Sequence, residues 1–266
     1  MAGLPRSGST LLSSILNQNP DIYSGPQTDF PNVMLSIYQS NQRSESYHSG
    51  YNPEGYENLM RQVPNNFYIN TDKKYIIDKN RVWGTTDNIK LLDLLSNNVK
   101  IICTVRPILE VLASFVTLAR NNPDNFIDKG ILEIPSSYYR PIDDARCDWL
   151  MSETENIQHN IFSMASALNP EHQKKFHFVV YKDLVSKPKE TLENIYKFLE
   201  IENFEHTFEN LKWEKMPHEE NIFGIKNMHS VKPDLMPSET DVSILSDYTR
   251  AKYGNALDFL SPIVKL

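Results

Sequence analysis

The stretch that decides the fold is Gly3-Leu4-Pro5-Arg6-Ser7-Gly8-Ser9-Thr10, which the apolar pair Leu11-Leu12 follows. Gly3 and Gly8 have the spacing of a P-loop, a turn that leads into a helix and holds phosphate. Ser9 stands where a nucleoside triphosphatase carries its lysine, and the cation inside this loop is Arg6. The sequence therefore predicts a loop that holds an anion without the lysine of a kinase.

Such a loop favours an anion for physical reasons. The first N–H groups of a helix have no partner within the helix, and the helix dipole favours negative charge there. Gly8 lets the backbone approach a ligand, and Arg6 offers a planar fork that matches phosphate or sulfate oxygens. Hydroxyl donors come from Ser7, Ser9 and Thr10. The alternative interpretation is a serine-rich helix cap after a turn.

A second motif lies near the middle of the chain. The run from Val99 to Val105 is apolar and rich in β-branched residues, which predicts a buried strand that ends at Arg106. Pro107 suits the first turn of a helix, predicted over about 108–120. Ser114 lies two turns into that helix, so Arg106 and Ser114 can converge on one phosphate. A solvent-exposed arginine at a strand end is the alternative.

Together these motifs resemble those of the sulfotransferases that use 3′-phosphoadenosine 5′-phosphosulfate (PAPS). The stretch 3–10, continued by Asn19-Pro20-Asp21, is similar to their 5′-phosphosulfate loop, and Arg106 with Ser114 is similar to their 3′-phosphate site. The Pro-Arg-Ser-Gly form resembles the tyrosylprotein sulfotransferases and a bacterial and viral group. The resemblance spans nearly the whole chain and is dense at 1–30, 75–120 and 176–200.

The resemblance implies roles for further residues. Lys79 follows a predicted strand that starts at Tyr75 and would approach the transferring sulfonate together with Arg6. The implied donor-binding residues are Pro5, Arg6, Ser7, Gly8, Ser9, Thr10, Arg106, Ser114, Tyr181, Ser230 and Lys232. No aspartate of the Walker B kind ends the strand 101–105, so we expect no metal.

The general base is the point at which the sequence departs from the tyrosylprotein pattern. Gln27 stands where those enzymes have glutamate, and an amide does not accept a proton at neutral pH. Asp29 is the first candidate in its place, and His48, in the polar stretch 41–56, is the second. For each of them, an ordinary surface group or a helix cap is the alternative.

Short strands separated by helices predict an α/β protein with three layers, a central parallel sheet and P-loop topology, in one domain over residues 1–266. Ligands bind at the carboxyl ends of such strands, where Arg6, Lys79 and Arg106 all fall. Helices are predicted near 10–17, after Pro31, and over 57–63, 143–168 and 239–252. The stretch 41–56 is predicted to be a mobile loop and 121–141 an irregular lid.

Composition narrows the classes of partner. The formal net charge is −7 with no basic run, which disfavours nucleic acid as a partner. Two cysteines without metal-ligand spacing predict buried thiols. No apolar run reaches the roughly 18 residues of a membrane span, and no signal peptide is visible, so we expect a cytoplasmic protein without a membrane partner.

The sequence thus predicts an enzyme that transfers a sulfonate from PAPS to a hydroxyl or amine and releases adenosine 3′,5′-bisphosphate (PAP). The acceptor stays open among small molecules, carbohydrates and peptides. A protein that binds the nucleotide without catalysis is the first alternative, and Gln27 is its best support. A divergent P-loop kinase is the second, although it would need a lysine at Ser9 and a carboxylate for Mg²⁺.

Overall fold

The computed structural model describes residues 1–132, 140–152, 156–213, 219–226, 228–236 and 240–266. Within these ranges the strands are β1 (Ala2–Gly3), β2 (Ile22–Tyr23), β3 (Tyr75–Ile76), β4 (Ile101–Val105) and β5 (Phe176–Val180). One sheet has the order β1-β4-β5 and the other pairs β2 with β3, and every pairing is parallel.

The strand β4 shows why helices cover both faces of the sheet. All five of its residues are buried, as a strand between two layers requires. Ile101, Cys103 and Val105 belong to one apolar cluster, whereas Ile102 belongs to another on the opposite face. This alternation confirms the predicted α/β fold with a central parallel sheet between helical layers.

The helices α1 to α7 lie before residue 133 and α8 to α14 after residue 139. Their bounds are α1 (Ser9–Leu16), α2 (Phe30–Gln42), α3 (Glu45–His48), α4 (Pro53–Phe67), α5 (Thr86–Leu95), α6 (Ile108–Asn121), α7 (Phe126–Leu132), α8 (Ile142–Leu150), α9 (Asn156–Ala165), α10 (Pro170–Gln173), α11 (Tyr181–Ser186), α12 (Pro188–Leu199), α13 (Glu219–Phe223) and α14 (Asp247–Tyr253). Short 3₁₀ turns occupy Arg81–Gly84, Ser166–Leu168, Val242–Ile244 and Asp258–Leu260. In the described part of the chain, none of the helices has both the length and the apolar character that crossing a bilayer requires.

The two sheets meet where β3 passes β1. The carbonyl of Met1 accepts a hydrogen bond from the Asn80 N–H at 3.1 Å. The Asp78 carboxylate fixes the same segment, because it accepts from the Thr28 hydroxyl and the Trp83 indole, both at 2.5 Å. These bonds hold Lys79 at the carboxyl edge of the sheet, beside the loop that follows β1.

Several predicted elements differ from the structure. The helix predicted over 143–168 is two helices, α8 and α9, followed by a 3₁₀ turn; residues 153–155 lie outside the described ranges. The Ser152 hydroxyl donates to the Trp149 carbonyl at 2.8 Å, a local bond that competes with helix continuation. Leu168, the last residue of the predicted helix, is exposed.

Helix starts account for the other differences. The polar stretch 41–56 contains α3, and α4 starts earlier than predicted because Asn52 caps it, accepting from the Gly55 N–H at 3.1 Å, and Pro53 suits its first turn. The last helix, predicted over 239–252, starts at Asp247, where Ser246 caps it; residue 239 lies outside the described ranges. The predicted lid 121–141 holds α7, and its residues 133–139 are also outside those ranges.

Candidate functional site

The loop between β1 and α1 has the backbone conformation of an anion-binding turn. Arg6 and Gly8 have positive φ values of 58° and 89°, and Gly8 directly precedes the first residue of α1. Residues in alternating conformations of this kind turn successive N–H groups toward one point. A Cβ on Gly8 would lie 2.7 Å from Cδ2 of Tyr181, so the glycine also allows the close approach of that ring.

Arg6 points across the top of the sheet rather than into solvent. Its Nε donates to the Ser114 hydroxyl at 3.2 Å, and its Nη1 donates to the Met228 carbonyl at 2.5 Å. Burial, and then the neighbouring Arg106, lower the pKa of Arg6. Arg6 therefore joins three distant segments and holds a positive charge in a desolvated place, where an anion would be favoured.

Arg106 lies beside Arg6 at the carboxyl end of β4. It is 5% exposed, its Nε donates to the Glu110 carboxylate at 2.8 Å, and its Nη1 donates to the Arg6 carbonyl at 3.1 Å. Its guanidinium lies 4.2 Å from the centroid of the Tyr181 ring. The structure thus brings together Arg6, Arg106, Ser114 and Tyr181, which the sequence had assigned to one donor site.

These side chains surround a cavity of about 270 Å³ above the sheet. Predicted residues that line it are Arg6, Gly8, Ser9, Thr10, Lys79, Arg106, Ser114, Tyr181, Ser230 and Lys232. Among the described lining residues, cationic side chains outnumber carboxylates, and the carboxylate is Asp234. The cavity is therefore suited to a ligand with several negative charges.

Ser7 and Pro5 are the predicted loop residues that lie elsewhere. The Ser7 hydroxyl donates to the Leu4 carbonyl at 2.5 Å and lies 2.7 Å from the Thr104 hydroxyl, so it faces the sheet. Ser7 is 1% exposed, and Pro5 is also buried; neither lines the cavity. The hydroxyl of Ser7 consequently fixes the turn instead of offering a side-chain donor to a ligand.

Lys79 enters the cavity from the segment after β3. It is 7% exposed, its Nζ lies 3.4 Å from the Thr10 hydroxyl, and it lies 4.9 Å from the centroid of the Trp213 ring. Burial, and then the charge of Arg81, lower the pKa of Lys79 to about 7. An anion bound beside this amine would favour its charged form.

The lining residues that the sequence analysis missed include Arg81, Trp213 and His229. Burial, and then Arg6, lower the pKa of Arg81 to about 10. The pKa of His229 is lowered to about 3, first by burial and then by Arg81, Lys79 and Arg6. The nearest sequence signals were weak: Arg81 lies two residues after Lys79, and His229 precedes the predicted Ser230.

The two candidate bases lie outside the cavity. Asp29 is exposed just before α2, and its Oδ1 accepts from Asn32 Nδ2 at 3.5 Å. His48 is exposed at the end of α3, with its Nε2 2.6 Å from the Gln42 carbonyl oxygen. Neither lines the cavity, whereas Gln27 does. The distance along the chain from Gln27 to Asp29 is short, but the helix start turns Asp29 toward solvent.

Comparisons with known proteins give the family of this chain. A family profile described as "Sulfotransferase family" matches residues 1–206. The sulfotransferase domain of the Synechococcus PCC 7002 olefin synthase is similar in structure, with a TM-score of 0.51 and 15% identity over 100% of this chain and 94% of that domain. The sulfotransferase domain from the curacin biosynthetic pathway has a TM-score of 0.47 and 15% sequence identity, over 100% of this chain and 92% of that domain. No curated protein sequence matches significantly. With its profile match over most of the chain, a P-loop that carries Arg6 and a central parallel sheet, the chain belongs to the sulfotransferase family.

Proposed function

We propose that this protein transfers a sulfonate from PAPS to a hydroxyl or amine acceptor and releases PAP. The observation that carries the proposal is the cavity at the P-loop, where the cations of Arg6, Lys79, Arg81 and Arg106 converge. PAPS bears negative charge at both ends, on its 5′-phosphosulfate and on its 3′-phosphate. A cavity with this excess of cations complements that distribution.

In this proposal, the two ends of the donor bind to different residues. The N–H groups at the start of α1, together with Ser9 and Thr10, would hold the 5′-phosphosulfate. Arg106 and Ser114 would hold the 3′-phosphate, since both line the cavity on the side of β4 and α6. The sulfonate then lies toward Arg6 and Lys79, and the acceptor enters from the side of Gln27 and Trp213.

The reaction makes and breaks bonds at sulfur. The acceptor oxygen or nitrogen forms a bond to sulfur and loses its proton to a base or to water, while the bond from sulfur to the bridging oxygen breaks and its electron pair stays on the phosphate of PAP. Negative charge grows on that phosphate as the bond breaks. Donors already fixed near this position stabilise the transition state most, because they need no reorganisation. Arg6, anchored on Ser114 and Met228, and Lys79 meet this requirement.

Turnover of labelled PAPS tests the proposal. ³⁵S-PAPS is incubated with pools of phenols, alcohols, sugars and tyrosine peptides, and both PAP and the labelled product are measured. We expect PAP to form together with one labelled product. Binding of PAP without turnover in any pool would favour the non-catalytic alternative, which Gln27 supports. Activity only with ATP and Mg²⁺ would favour a kinase.

A preference for PAP over AMP is the first expected result. A charge-assisted hydrogen bond contributes roughly 1.5–3 kcal/mol, so the 3′-phosphate should raise affinity about 10- to 150-fold. Calorimetry with both nucleotides measures this ratio. Arg106→Ala should bring the two affinities close together, whereas Arg61→Ala, on the exposed face of α4, should leave the ratio unchanged. Equal affinities in the unaltered protein would contradict the assignment of Arg106.

Proton uptake on PAP binding is the second expected result. The pKa of Lys79 is lowered to about 7, so the amine loses its proton as the pH rises through that value. Negative charge of bound PAP raises this pKa again, so binding at about pH 8 should take up a proton and affinity should fall as the pH rises.

Calorimetry in two buffers of different ionisation enthalpy measures the uptake. Lys79→Arg should abolish it, and Lys100→Arg, paired with Glu200 outside the cavity, should not. Equal binding heats in both buffers would argue against Lys79 as the linked group.

A further inference from the structure

Trp213 ends a segment that is anchored beside the P-loop cavity. The first residue of this segment, the strap (residues 207–213), is held on both sides by Gln18, which follows α1. Gln18 Oε1 accepts from the Thr207 N–H, and Gln18 Nε2 donates to the Thr207 carbonyl, both at 2.9 Å. Leu211 is buried in the apolar cluster that also contains residues of α1. Trp213 therefore lies two residues beyond an anchored point, and it lines the cavity.

The amine of Lys79 lies between the strap and α1. Its Nζ donates to the Thr10 hydroxyl on α1 at 3.4 Å and lies over the ring of Trp213, 4.9 Å from the ring centroid. This separation is within the roughly 6 Å over which an aromatic face attracts a cation, and tryptophan is the side chain that does so most strongly. Because Gln18 joins the strap to the end of α1, both partners of the amine belong to one connected unit.

A ring suits this position better than a carboxylate would. Burial, and then Arg81, lower the pKa of Lys79 to about 7, so the charged form needs support while no donor is bound. A carboxylate would supply that support, but it would also cancel the charge of the amine and repel an incoming sulfonate. A ring face favours the cation and adds no net charge.

We propose that Trp213 is the positioning residue of Lys79: its ring holds the ammonium group beside the start of α1 and favours the charged form of the amine. The proposal rests on the proposed function, in which Lys79 meets the charge that grows on the leaving phosphate. Trp213 acts through Lys79 and takes no part in making or breaking bonds. Its loss should therefore lower turnover most at high pH, where Lys79 gives up its proton.

Other charged groups surround this amine and have to stay unchanged in a test. Among the described residues, the cavity is also lined by Arg6, Arg81, Arg106, Lys232, Asp234 and the imidazole of His229, and the amine of Met1 donates to the carbonyl of Asp78, which precedes Lys79. Uncharged substitutions at Trp213 keep all of these groups. Trp213→Phe and Trp213→Leu form a matched pair, because both side chains are apolar and smaller than tryptophan and only phenylalanine keeps a ring face.

The titration of Lys79 tests the proposal without donor or acceptor. The protein labelled with ¹³C in lysine is titrated by NMR, and Lys79→Arg identifies the signal. We expect the midpoint of Lys79 to be lower in Trp213→Leu than in Trp213→Phe by about half a pH unit or more. Phe198→Leu removes a ring that lies 5.1 Å from Lys100 Nζ outside the cavity, and this control should not move the midpoint. Equal midpoints in the matched pair, or a higher midpoint in Trp213→Leu, would show that Trp213 only excludes water and would overturn the proposal.

The pH profile of kcat/KM for PAPS shows whether the ring acts in the reaction. It is measured with ³⁵S-PAPS and whichever acceptor pool gives product, and its fall at high pH reports groups of the free enzyme. Relative to Trp213→Phe, Trp213→Leu should lose about threefold or more at about pH 8.5 and much less at about pH 6, where Lys79 is largely charged in both.

The outcomes separate the proposal from the function on which it rests. Equal losses of kcat/KM at both pH values would show a structural role for Trp213 and overturn the assignment. If the unaltered protein turns over no PAPS, the proposed function is refuted, and the role of Trp213 in transfer with it. An active protein with equal Lys79 midpoints in the matched pair refutes the role of Trp213 alone.

Discussion

Arg6→Ala should lower turnover of PAPS by about 10²–10³-fold while PAP affinity falls much less, because the side chain meets charge that grows only in the transition state. The fork of Arg6 is already oriented by Ser114 and Met228, so its stabilisation of the leaving group needs no rearrangement. Single-turnover rates and calorimetry with PAP measure the two quantities on the same preparation. A variant whose Michaelis constant rises with turnover unchanged would show that Arg6 contributes ground-state binding alone.

A second substitution separates chemistry from folding. Arg6 has a φ of 58°, and its side chain also ties the segment of Met228 to the loop, so alanine removes an anchor as well as a charge. Arg6→Lys keeps the charge and loses the planar fork. We expect Arg6→Lys to retain PAP affinity and to lose part of the rate. If both variants melt at the temperature of the unaltered protein, the loss of rate belongs to the site.

The sequence predicted those parts of the fold that local patterns determine. The P-loop, the apolar strand that ends at Arg106 and the helix that follows Pro107 were found nearly at their true bounds. Each has its own signal within a few residues: glycine spacing, β-branched residues or a proline in the first turn. The break between α8 and α9 was missed because the residues on both sides keep a helical pattern. The hydrogen bond that the Ser152 side chain donates to the Trp149 carbonyl competes with continuation of α8. The spacing of apolar residues gives no signal for such a bond.

Most of the residues predicted for the P-loop cavity line it, whereas Arg81, Trp213 and His229 also line it and were not predicted. The predicted residues cluster in motifs, and the carboxyl ends of parallel strands bring those motifs together. His229 and Arg81 are 148 positions apart, and their meeting depends on the path of the segment after residue 211, where no periodic pattern exists. The orientation of the Ser7 hydroxyl was not predictable for a related reason. A loop hydroxyl can face a ligand or the sheet, and only its neighbour Thr104 decides between the two.

Gly3→Ala should be among the most destabilising single substitutions in this chain. Gly3 has a φ of 118°, which side chains rarely adopt, and a Cβ there would lie 2.1 Å from the Thr104 carbonyl oxygen and 2.6 Å from the Thr104 nitrogen. Both contacts are with backbone of β4, so no rotation of a side chain relieves them. Strain and overlap together should cost at least about 3 kcal/mol of the free energy of unfolding. Urea unfolding, followed by circular dichroism, measures the difference in the free energy of unfolding between Gly3→Ala and the unaltered protein.

Gly50→Ala gives the matched control, because Gly50 also has a positive φ, 74°, but nothing lies within 4 Å of an added Cβ. Backbone strain alone should cost about 1–2 kcal/mol there. The additional loss of unfolding free energy in Gly3→Ala, relative to Gly50→Ala, therefore measures how tightly β1 packs against β4. This packing sets the position of the P-loop. If the two variants unfold at the same urea concentration, the overlap at Thr104 is relieved by movement of β1. PAP affinity, measured on folded Gly3→Ala protein, should then fall as well, since the loop would move with the strand that carries it.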